Sequence, residues 1–566
     1  VYFLALVALM LYLNVFLLGR RHWGGGANAG RHWAHGAARI VAGLVLLVSL
    51  HVFARRMDPY LKVDATAERL YTLSKETHDI LKNIEPGTEV RVDAFLSPIN
   101  EIPRDYVETH RNLRDLLDRY DSLSGGKVKV NVVEAEVDSA AAQRAEKNFG
   151  VKAAQVPVQE DGKFKMSEFI LGVSARSGKN EATIPFLHKG LGVEYELSRL
   201  IRTVASKEPP RIAILSTDAN VLDRFGSEDR DWRIVADLRK QYKVLRAQPG
   251  QLMQHEEPKT PEPPPGPGAP PTPKKIKRNE NGEALISDSI KDAKVLIVAQ
   301  PSSLTQDEMD DLVEYVKSGR PTLLLEDTLP AQNPDLRTSN PMKGADPQMA
   351  MFGMNRGQPK GDFSKLLGLL NVQMDTSGVV WQTANPLRQG GEMAQLAPEI
   401  VTSGKNVIDG QALYDVNHPI TAAMRKYVVF LYGGAIKDKG GDGPKMTRLL
   451  WTTKDAGITD IQTLMSQRNP GDADQKRKSN RTENTLAALI EGMPAKNAAG
   501  SPAPGEKAAP AKEIKVLLVA DFDFMSDTFF GFRQSGDNKK FDFENVEFLI
   551  NCVDYLAGDE ALIPLR

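Results

Sequence analysis

The chain has one cysteine, Cys552, among its 566 residues. A single cysteine excludes internal disulfides and cysteine-rich metal sites, and it excludes the Cys-x-x-Cys pair of dithiol redox chemistry. Cys552 follows the apolar run Phe548-Leu549-Ile550 in a segment with the pattern of an amphipathic helix. Because buried cysteine usually behaves as a small hydrophobe, we predict a core thiol here rather than a nucleophile.

Other functional patterns are missing as well. The sequence has no G-x-x-x-x-G-K-[ST] phosphate-binding loop and no G-x-S-x-G serine elbow, and its nine histidines show no H-x-x-x-H spacing. The chain is therefore not itself an ATPase. Lys and Arg number 72 against 73 Asp and Glu, a net charge of -1, so nothing global indicates binding to nucleic acid.

A β-α-β pattern organises the second half of the sequence. Val295–Ala299 and Thr322–Leu325 are continuous apolar runs of strand length, as expected of parallel strands buried on both faces. Between them, Thr305 and Glu308 have the spacing of a capping box, in which each side chain satisfies a free backbone N–H at a helix start. The pattern predicts an α/β fold with a doubly wound sheet, which we assign to residues 209–566.

Polar residues follow four predicted strands of this domain, at Ser216–Asp218, Gln300–Ser302, Glu326–Asp327 and Asp521–Asp523. Ligands of doubly wound sheets collect at the carboxyl ends of the strands. The alternative, that these residues only shape loops, stays open, and we expect no catalytic residue, cofactor or metal. The candidate pocket residues are Ser216, Thr217, Asp218, Pro301, Ser302, Glu326, Asp327, Asp521 and Asp523.

Two further groups contain residue types that are common in metal-binding and catalytic sites. Asp521, Asp523 and Asp527 could bind a hard cation, since carboxylates suit Ca²⁺ and Mg²⁺, but aspartate more often caps turns. His418 stands in Asn417-His418-Pro419, which favours a turn before a helix over a ligand or base.

Residues 61–206 predict the element order β-α-β-α-β-β-α, with Val156-Pro157-Val158 opening the third strand. This order is similar to a thioredoxin-type module. With no cysteine in this region, the module is predicted to bind or to serve as a scaffold.

Residues 1–57 are predicted to hold two transmembrane helices, in Val1–Gly19 and Ile40–Ala54, both without charge. A signal peptide is the alternative for the first, but arginines stand where its cleavage site should be. The loop 20–39 has four arginines and no acid. Basic loops stay cytoplasmic, so the following domains are predicted on the periplasmic side of a bacterial inner membrane.

Two low-complexity inserts interrupt the second domain. Residues 248–281 are Pro-rich and residues 495–512 are rich in Ala, Pro and Lys. Such composition buries too little apolar surface to offset the entropy of ordering, so we predict solvated, semi-extended or disordered segments. The first could also serve as a Pro-rich ligand for a partner.

Several ordered blocks resemble the auxiliary, substrate-binding-like subunit of gliding-motility-type ABC transport systems. They are RLYTLSKET (69–77), HPIT (418–421), LAALIEG (486–492), KVLLVADFDFMSD (515–527) and NVEFLINCVDYLAGDEALIPLR (545–566), and the likeness covers roughly residues 60–566. Residues 1–23 look like the last span of an ABC-2 type permease.

The resemblance implies a thioredoxin-like module, a domain similar to class I glutamine amidotransferases, and an ABC permease and a cytoplasmic ATPase as partners. We therefore expect a membrane-anchored, non-enzymatic periplasmic subunit that binds substrate or couples the permease to envelope components, and a homo-oligomer stays open. The alternatives are an envelope hydrolase on the amidotransferase-like fold and a pure periplasmic scaffold.

Overall fold

A computed structural model describes the part of the chain that forms the α/β units. The described residues are 73–160, 163–256, 275–344, 357–388, 396–404, 411–466, 477, 481–495, 510–535 and 543–566. The predicted transmembrane helices within 1–57 and most of the insert 495–512 lie outside these ranges. Within them, none of the helices has the length and apolar character needed to cross a bilayer.

The first unit is a four-stranded sheet in the order β2-β1-β5-β6 with helices packed on it. β1 and β2 are parallel, whereas β5 pairs antiparallel with both β1 and β6. Its elements are α1 (Lys75–Lys82), β1 (Val90–Leu96), α2 (Arg104–Leu123), β2 (Val128–Glu134), α3 (Ala140–Phe149), β3 (Ala154–Glu160), β4 (Lys163–Phe169), β5 (Leu171–Ser177), β6 (Asn180–Ile184) and α4 (Val193–Ala205).

The local sequence explains most of these elements. Ser74 caps α1 by accepting from the Thr77 N–H at 3.1 Å. One prediction is wrong: Val156-Pro157-Val158 does not open the third strand of the sheet, because β3 and β4 form a separate antiparallel hairpin. An isolated two-stranded hairpin tolerates a proline, since it leaves backbone N–H groups without a ladder partner. The third sheet strand is β5.

The second unit is built on a nine-stranded sheet. Its main path runs β13-β17-β20-β21-β10-β9-β7-β8, and β18 also pairs with β20. The elements are β7 (Arg211–Leu215), α5 (Arg233–Arg239), β8 (Lys243–Ala247), β9 (Leu296–Ala299), α6 (Gln306–Lys317), β10 (Thr322–Leu325), β11 (Met342–Lys343), β12 (Gln358–Pro359), α7 (Phe363–Leu369), β13 (Val372–Met374), β14 (Gly378–Gln382), β15 (Ile400–Gly404), α8 (Pro419–Ala422), β16 (Tyr427–Leu431), β17 (Ile436–Asp438), β18 (Lys445–Trp451), β19 (Ala456–Asp460), α9 (Ile461–Met465), β20 (Thr485–Gly492), β21 (Ile514–Val519), α10 (Asp527–Ser535) and α11 (Asn545–Ala557).

The parallel half of this sheet is β8-β7-β9-β10-β21. In chain order this is 2-1-3-4-5, one of the two common orders of doubly wound sheets. The prediction of a doubly wound sheet missed the other half, because β20, β17, β13 and β18 extend the sheet with antiparallel pairs. Mixed sheets of this kind are common when a sheet is large.

Alternating side chains of the parallel strands enter two separate hydrophobic cores. Ile212 and Ile214 of β7 join a cluster that contains α5 and α11, whereas Ala213 and Leu215 join a cluster that contains α6 and α7. This alternation is the period-two geometry of a strand. The capping box of α6 is confirmed, and Gly319 ends that helix region with a φ of +77°.

The ends of the Pro-rich insert are ordered, contrary to the prediction that all of 248–281 is solvated or disordered. Isolated antiparallel bridges join Met253 to Ile286 and His255 to Ile276. The His255 ring lies 2.9 Å from the Asp311 carboxylate of α6. The described ends of the insert therefore pack on the sheet unit, while 257–274 lies outside the described residues.

Candidate functional site

The candidate residues meet where β9, β10 and β21 end. The register pairs Leu325 with both Ala299 and Val519, so the residues that follow these strands share one edge of the sheet. Glu326 and Asp327 are consecutive and project to different sides of this edge. Each becomes the centre of its own cluster of polar contacts.

Glu326 is fully buried, and its carboxylate connects three loops through hydrogen bonds and charge. Its Oε2 accepts from the Ser302 N–H at 3.0 Å, and its Oε1 accepts from the Thr338 hydroxyl at 2.5 Å. Burial raises the pKa of Glu326, and these hydrogen bonds and the Lys360 charge oppose the shift. The half-buried Lys360 ammonium in turn donates to the Arg337 carbonyl at 2.9 Å.

Gln300 holds the Glu326–Asp327 backbone in place. Its Oε1 accepts from the Asp327 N–H at 3.0 Å, and its Nε2 donates to the Asp327 carbonyl at 2.9 Å. Its φ is +53°, an uncommon conformation for a residue with a side chain. Such strain persists only where surrounding contacts enforce it, and here the two hydrogen bonds do so.

On the other side of the edge, Asp327, Asp521 and Asp523 form a carboxylate cluster. All three are fully buried, and each offers an oxygen within 4.8 Å of the others. Four of the six oxygens accept backbone N–H groups. The pairs are Leu329 N to Asp327 Oδ1 at 2.9 Å, Leu431 N to Asp521 Oδ2 at 2.5 Å, Phe524 N to Asp521 Oδ1 at 3.2 Å and Ala331 N to Asp523 Oδ2 at 2.5 Å.

The remaining two oxygens, Asp327 Oδ2 and Asp523 Oδ1, have no hydrogen-bond partner. Burial raises the pKa of Asp327 well above its usual value, and the charges of Asp521 and Asp523 raise it further. A proton on Asp327 supplies the missing contact, because the protonated acid donates to a neighbouring carboxylate. We therefore describe the cluster as carboxylates whose titrations are linked and that can share a proton.

The carboxylate cluster is the one group of three potential metal ligands within the described ranges. A hard cation such as Ca²⁺ takes about 6–8 oxygen ligands. Only two of the cluster's oxygens are not already bound to backbone N–H groups, and the side chains are fully buried. The donor set therefore fits a shared proton better than a cation, and the expectation of no metal stays a prediction.

The third group of candidates lies at the end of β7. The Thr217 hydroxyl donates to the Ala299 carbonyl at 2.5 Å, across the point where the strand order changes direction. Ser216 accepts from Arg246 at 3.2 Å, and the Asp218 carboxylate lies 3.6 Å from Lys343 of β11. Doubly wound sheets bind ligands where the strand order changes direction. In this chain the Thr217–Ala299 hydrogen bond and the β11–β12 hairpin, which carries Lys343, lie at that position.

Three other predicted residues lie elsewhere. Asp527 does not join the carboxylate cluster; it accepts from the Arg233 N–H at 2.8 Å at the start of α5. His418 caps α8, because its Nδ1 accepts from the Ile420 N–H at 3.3 Å. The predicted core position of Cys552 is confirmed, and burial, followed by the charge of Asp554, raises the pKa of its thiol well above the ordinary value.

Sequence reasoning missed Thr338, Lys343 and Lys360, which complete the contacts of Glu326 and Asp218. All three come from the long region 338–361 after β10, which has no periodic pattern. Pro301 begins a short 3-10 helix that places the Ser302 N–H against Glu326. The nine candidates therefore lie along one edge but belong to three separate sets of contacts.

A family model described as ABC-type uncharacterized transport system matches residues 209–552. A second model, described as a domain of unknown function (DUF7088), matches residues 67–176. The curated proteins compared with this chain include no match. The first match covers more than half of the 566 residues, so the chain belongs to the ABC-type uncharacterized transport system family, whose name indicates an auxiliary component of such a system.

Proposed function

We propose that this chain is a membrane-anchored, non-enzymatic auxiliary subunit on the periplasmic side of the inner membrane. It works beside an ABC permease and a cytoplasmic ATPase and couples the permease to envelope components. Family membership supplies the transport context. The anchor is the pair of predicted transmembrane helices in 1–57, and the gliding-motility-type resemblance favours the same arrangement.

One observation supports a coupling role over catalysis at the sheet edge. The carboxylates that follow β10 and β21 accept hydrogen bonds from backbone N–H groups and are fully buried. A general acid or base must reach the proton that it transfers. These carboxylates instead hydrogen-bond loops to one another and so hold the sheet edge in a fixed shape. A fixed shape suits a binding surface for a protein partner.

The first unit supports the same proposal. Its strand order β2-β1-β5-β6, with a parallel pair followed by antiparallel pairs, agrees with a thioredoxin-like module. The module lacks cysteine, so it offers a surface rather than dithiol chemistry. The second unit's parallel strand order agrees with the amidotransferase-like fold that the resemblance implies.

The two units pack through buried contacts that suit a subunit transmitting movement. Tyr195 of α4 accepts from Gln241 at 3.2 Å, and the Arg566 guanidinium lies 4.7 Å from the centre of its ring. The Arg202–Asp559 ion pair spans 2.6 Å at the same junction. Units joined in this way would move together when a partner binds to either one.

The proposal is tested by co-purification from native membranes. An affinity tag is placed within the Pro-rich insert 248–281, away from the buried Arg566, and membranes are solubilised in a mild detergent. We expect an ATPase and a permease to co-purify with the chain. Isolation of the chain without them, under conditions that preserve other ABC complexes, would favour an independent envelope scaffold or hydrolase.

A further inference from the structure

The outer edge of the first sheet is formed by β2, which pairs only with β1 among the described strands. The Lys127 carbonyl accepts from the Val90 N–H at 2.8 Å, and the Ala135 N–H also points toward β1. Successive residues of a strand direct their backbone groups to opposite sides. Because the residues that face β1 are odd-numbered, the even-numbered residues of β2 direct their N–H and C=O groups away from the sheet.

Side chains of this unit cover the first part of the edge. Ser124 Oγ accepts from the Val128 N–H, and Asp121 Oδ1 accepts from the Val130 N–H, both at 3.1 Å. Native proteins usually block a free strand edge, because its unpaired backbone groups can pair with another strand. The first two outward N–H groups of β2 are blocked in this way.

The second part of the edge is open. Val132 is half-buried and Glu134 is exposed, and within the described ranges no hydrogen bond is made by their outward N–H groups. The outward carbonyls of Val130 and Val132 are likewise without a donor in these ranges. The open edge therefore offers two donors and two acceptors over five residues.

We propose that this open edge pairs with the same edge of a second copy of the chain, about a two-fold axis at Val132. In an antiparallel pair, residues that lie opposite each other exchange N–H···O bonds. With the two copies of Val132 opposite each other, Val130 of each copy lies opposite Glu134 of the other. Each Val132 N–H then donates to the opposite Val132 carbonyl, and each Glu134 N–H donates to the opposite Val130 carbonyl. These four bonds use the free groups and leave the Asp121–Val130 contact intact.

The charges on α2 fit the same two-fold arrangement. Arg114 and Asp121 are exposed and two helical turns apart, so they lie on one flank of the helix. Arg114 lies 3.7 Å from Glu134, and Asp121 contacts Val130. Since Glu134 of one copy lies opposite Val130 of the other, Arg114 comes next to Asp121 of the second copy, and this happens twice. An unrelated strand could supply the backbone hydrogen bonds but not this match of charge, so we assign the edge to a second copy.

The pairing joins two four-stranded sheets into one continuous sheet. The contact is isologous, because the same surface serves on both copies. It depends on short strand segments and exposed ion pairs, and stable dimers usually bury about 1,200–2,000 Å². We therefore expect a reversible dimer whose formation depends on concentration.

The first test is a cysteine cross-link in the full chain in detergent. Val132→Cys places two cysteines opposite each other with about 5.5 Å between their Cα atoms, a distance that a disulfide spans. Lys129→Cys is the control, because the two copies of residue 129 would lie about 20 Å apart. The native Cys552 is buried and should stay unreacted. We expect mild oxidation to cross-link Val132→Cys and not Lys129→Cys. Equal cross-linking of both variants, or of neither, would overturn the proposal.

Sedimentation of the full chain over a range of concentrations tests the charges. Arg114→Glu should raise the dimer dissociation constant about tenfold or more, because it brings carboxylates together across the interface. Adding Asp121→Arg to that variant should restore the dimer, since the two charges are then exchanged. Asp118 lies between these positions on α2, and its two copies approach each other near the axis, so Asp118→Asn should tighten the dimer.

Two results of the sedimentation experiment would contradict the proposal. One is a chain that stays monomeric at every concentration, and the other is a dimer that Arg114→Glu leaves unchanged. A strand of another protein found cross-linked to Val132→Cys, in place of a second copy, would also overturn it.

Discussion

The Arg566 guanidinium donates to the Asp554 carboxylate at 2.6 Å, and both side chains are almost completely buried. Asp554 also accepts from the Tyr242 hydroxyl at 2.5 Å, and Arg566 from its other nitrogen donates to Asn551 at 2.6 Å. The same guanidinium covers the Tyr195 ring of the first unit. This pair therefore stabilises the second unit and its junction with the first.

Removing one partner of this pair should destabilise the chain strongly. We expect Arg566→Ala to lower the free energy of unfolding by about 3–5 kcal/mol, because it leaves Asp554 as a buried charge without a counter-ion. Urea unfolding of the full chain in detergent measures the change. Arg211→Ala is the matched control, since its pair with Asp292 is largely exposed and should contribute little. Equal effects of the two variants would contradict the assignment.

The carboxylate cluster predicts opposite outcomes for two substitutions of the same kind. Asp327→Asn should be tolerated, because an amide can donate to Asp521 as the protonated acid does. Asp521→Asn should cost about 1–3 kcal/mol, because both Asp521 oxygens accept backbone N–H groups and the amide nitrogen cannot. Unfolding of both variants at neutral pH measures the difference. A larger loss for Asp327→Asn would contradict proton sharing.

The same cluster predicts a pH dependence. A raised carboxyl pKa means that the folded state holds a proton that the unfolded state has lost. The stability contributed by protonated Asp327 is therefore complete below the ordinary aspartate pKa and falls as pH rises toward the raised value. Asp327→Asn should flatten this decline in unfolding measurements across pH. An unchanged pH profile would show that Asp327 is ionised in the folded state.

Glu544 should act as a second pH-sensitive group. Burial raises its pKa to about 7, and both of its oxygens accept from the Arg425 N–H. Stability from protonated Glu544 is complete below the ordinary value of 4.5 and is lost as pH rises to about 7. Compared with wild type, Glu544→Gln should therefore have a higher free energy of unfolding at pH 8, and this gain should exceed the gain at pH 4 by up to ~3 kcal/mol. A wild-type pH profile in this variant would contradict the prediction.

Gly434 should be required for closure of the sheet edge. A Cβ at this position would lie 2.3 Å from the Thr328 hydroxyl, and the Gly434 N–H donates to the Ala520 carbonyl at 2.8 Å. We expect Gly434→Ala to destabilise the chain by about 1–3 kcal/mol through this clash. Gly368→Ala is the control, because nothing lies within 4 Å of its Cβ and it stands in helix α7. That change should be neutral or stabilising by up to about 1 kcal/mol.

Much of the sheet edge could be predicted because it follows from strand periodicity. Each apolar run ends where its polar residues begin, so the pattern places Glu326, Asp327 and Asp521 at one edge. Their partners could not be predicted in the same way. Thr338 and Lys360 come from a loop without periodicity, and a sequence pattern does not say which loop lies over which strand.

The antiparallel half of the sheet was missed for a related reason. β20 is an apolar strand of eight residues whose pattern carries no signal for the direction in which it pairs, and β17 has only three residues, one of them apolar. The expected partner of Asp521 and Asp523 was Asp527, which is near in sequence, whereas Asp327 is near in space because β10 and β21 are adjacent strands. A long separation along the chain therefore hides this carboxylate cluster from sequence reasoning.

The most direct test of the proposed coupling role is the ATP hydrolysis rate of the permease–ATPase complex. The complex is purified from cells that lack this chain, and the rate is measured before and after the purified full chain is added in the same lipid. We predict that the chain changes the rate while hydrolysing no ATP itself, and that Arg566→Ala, which disturbs the junction of the two units, weakens the effect. A rate that the chain leaves unchanged, with no binding to the complex, would contradict the proposed function.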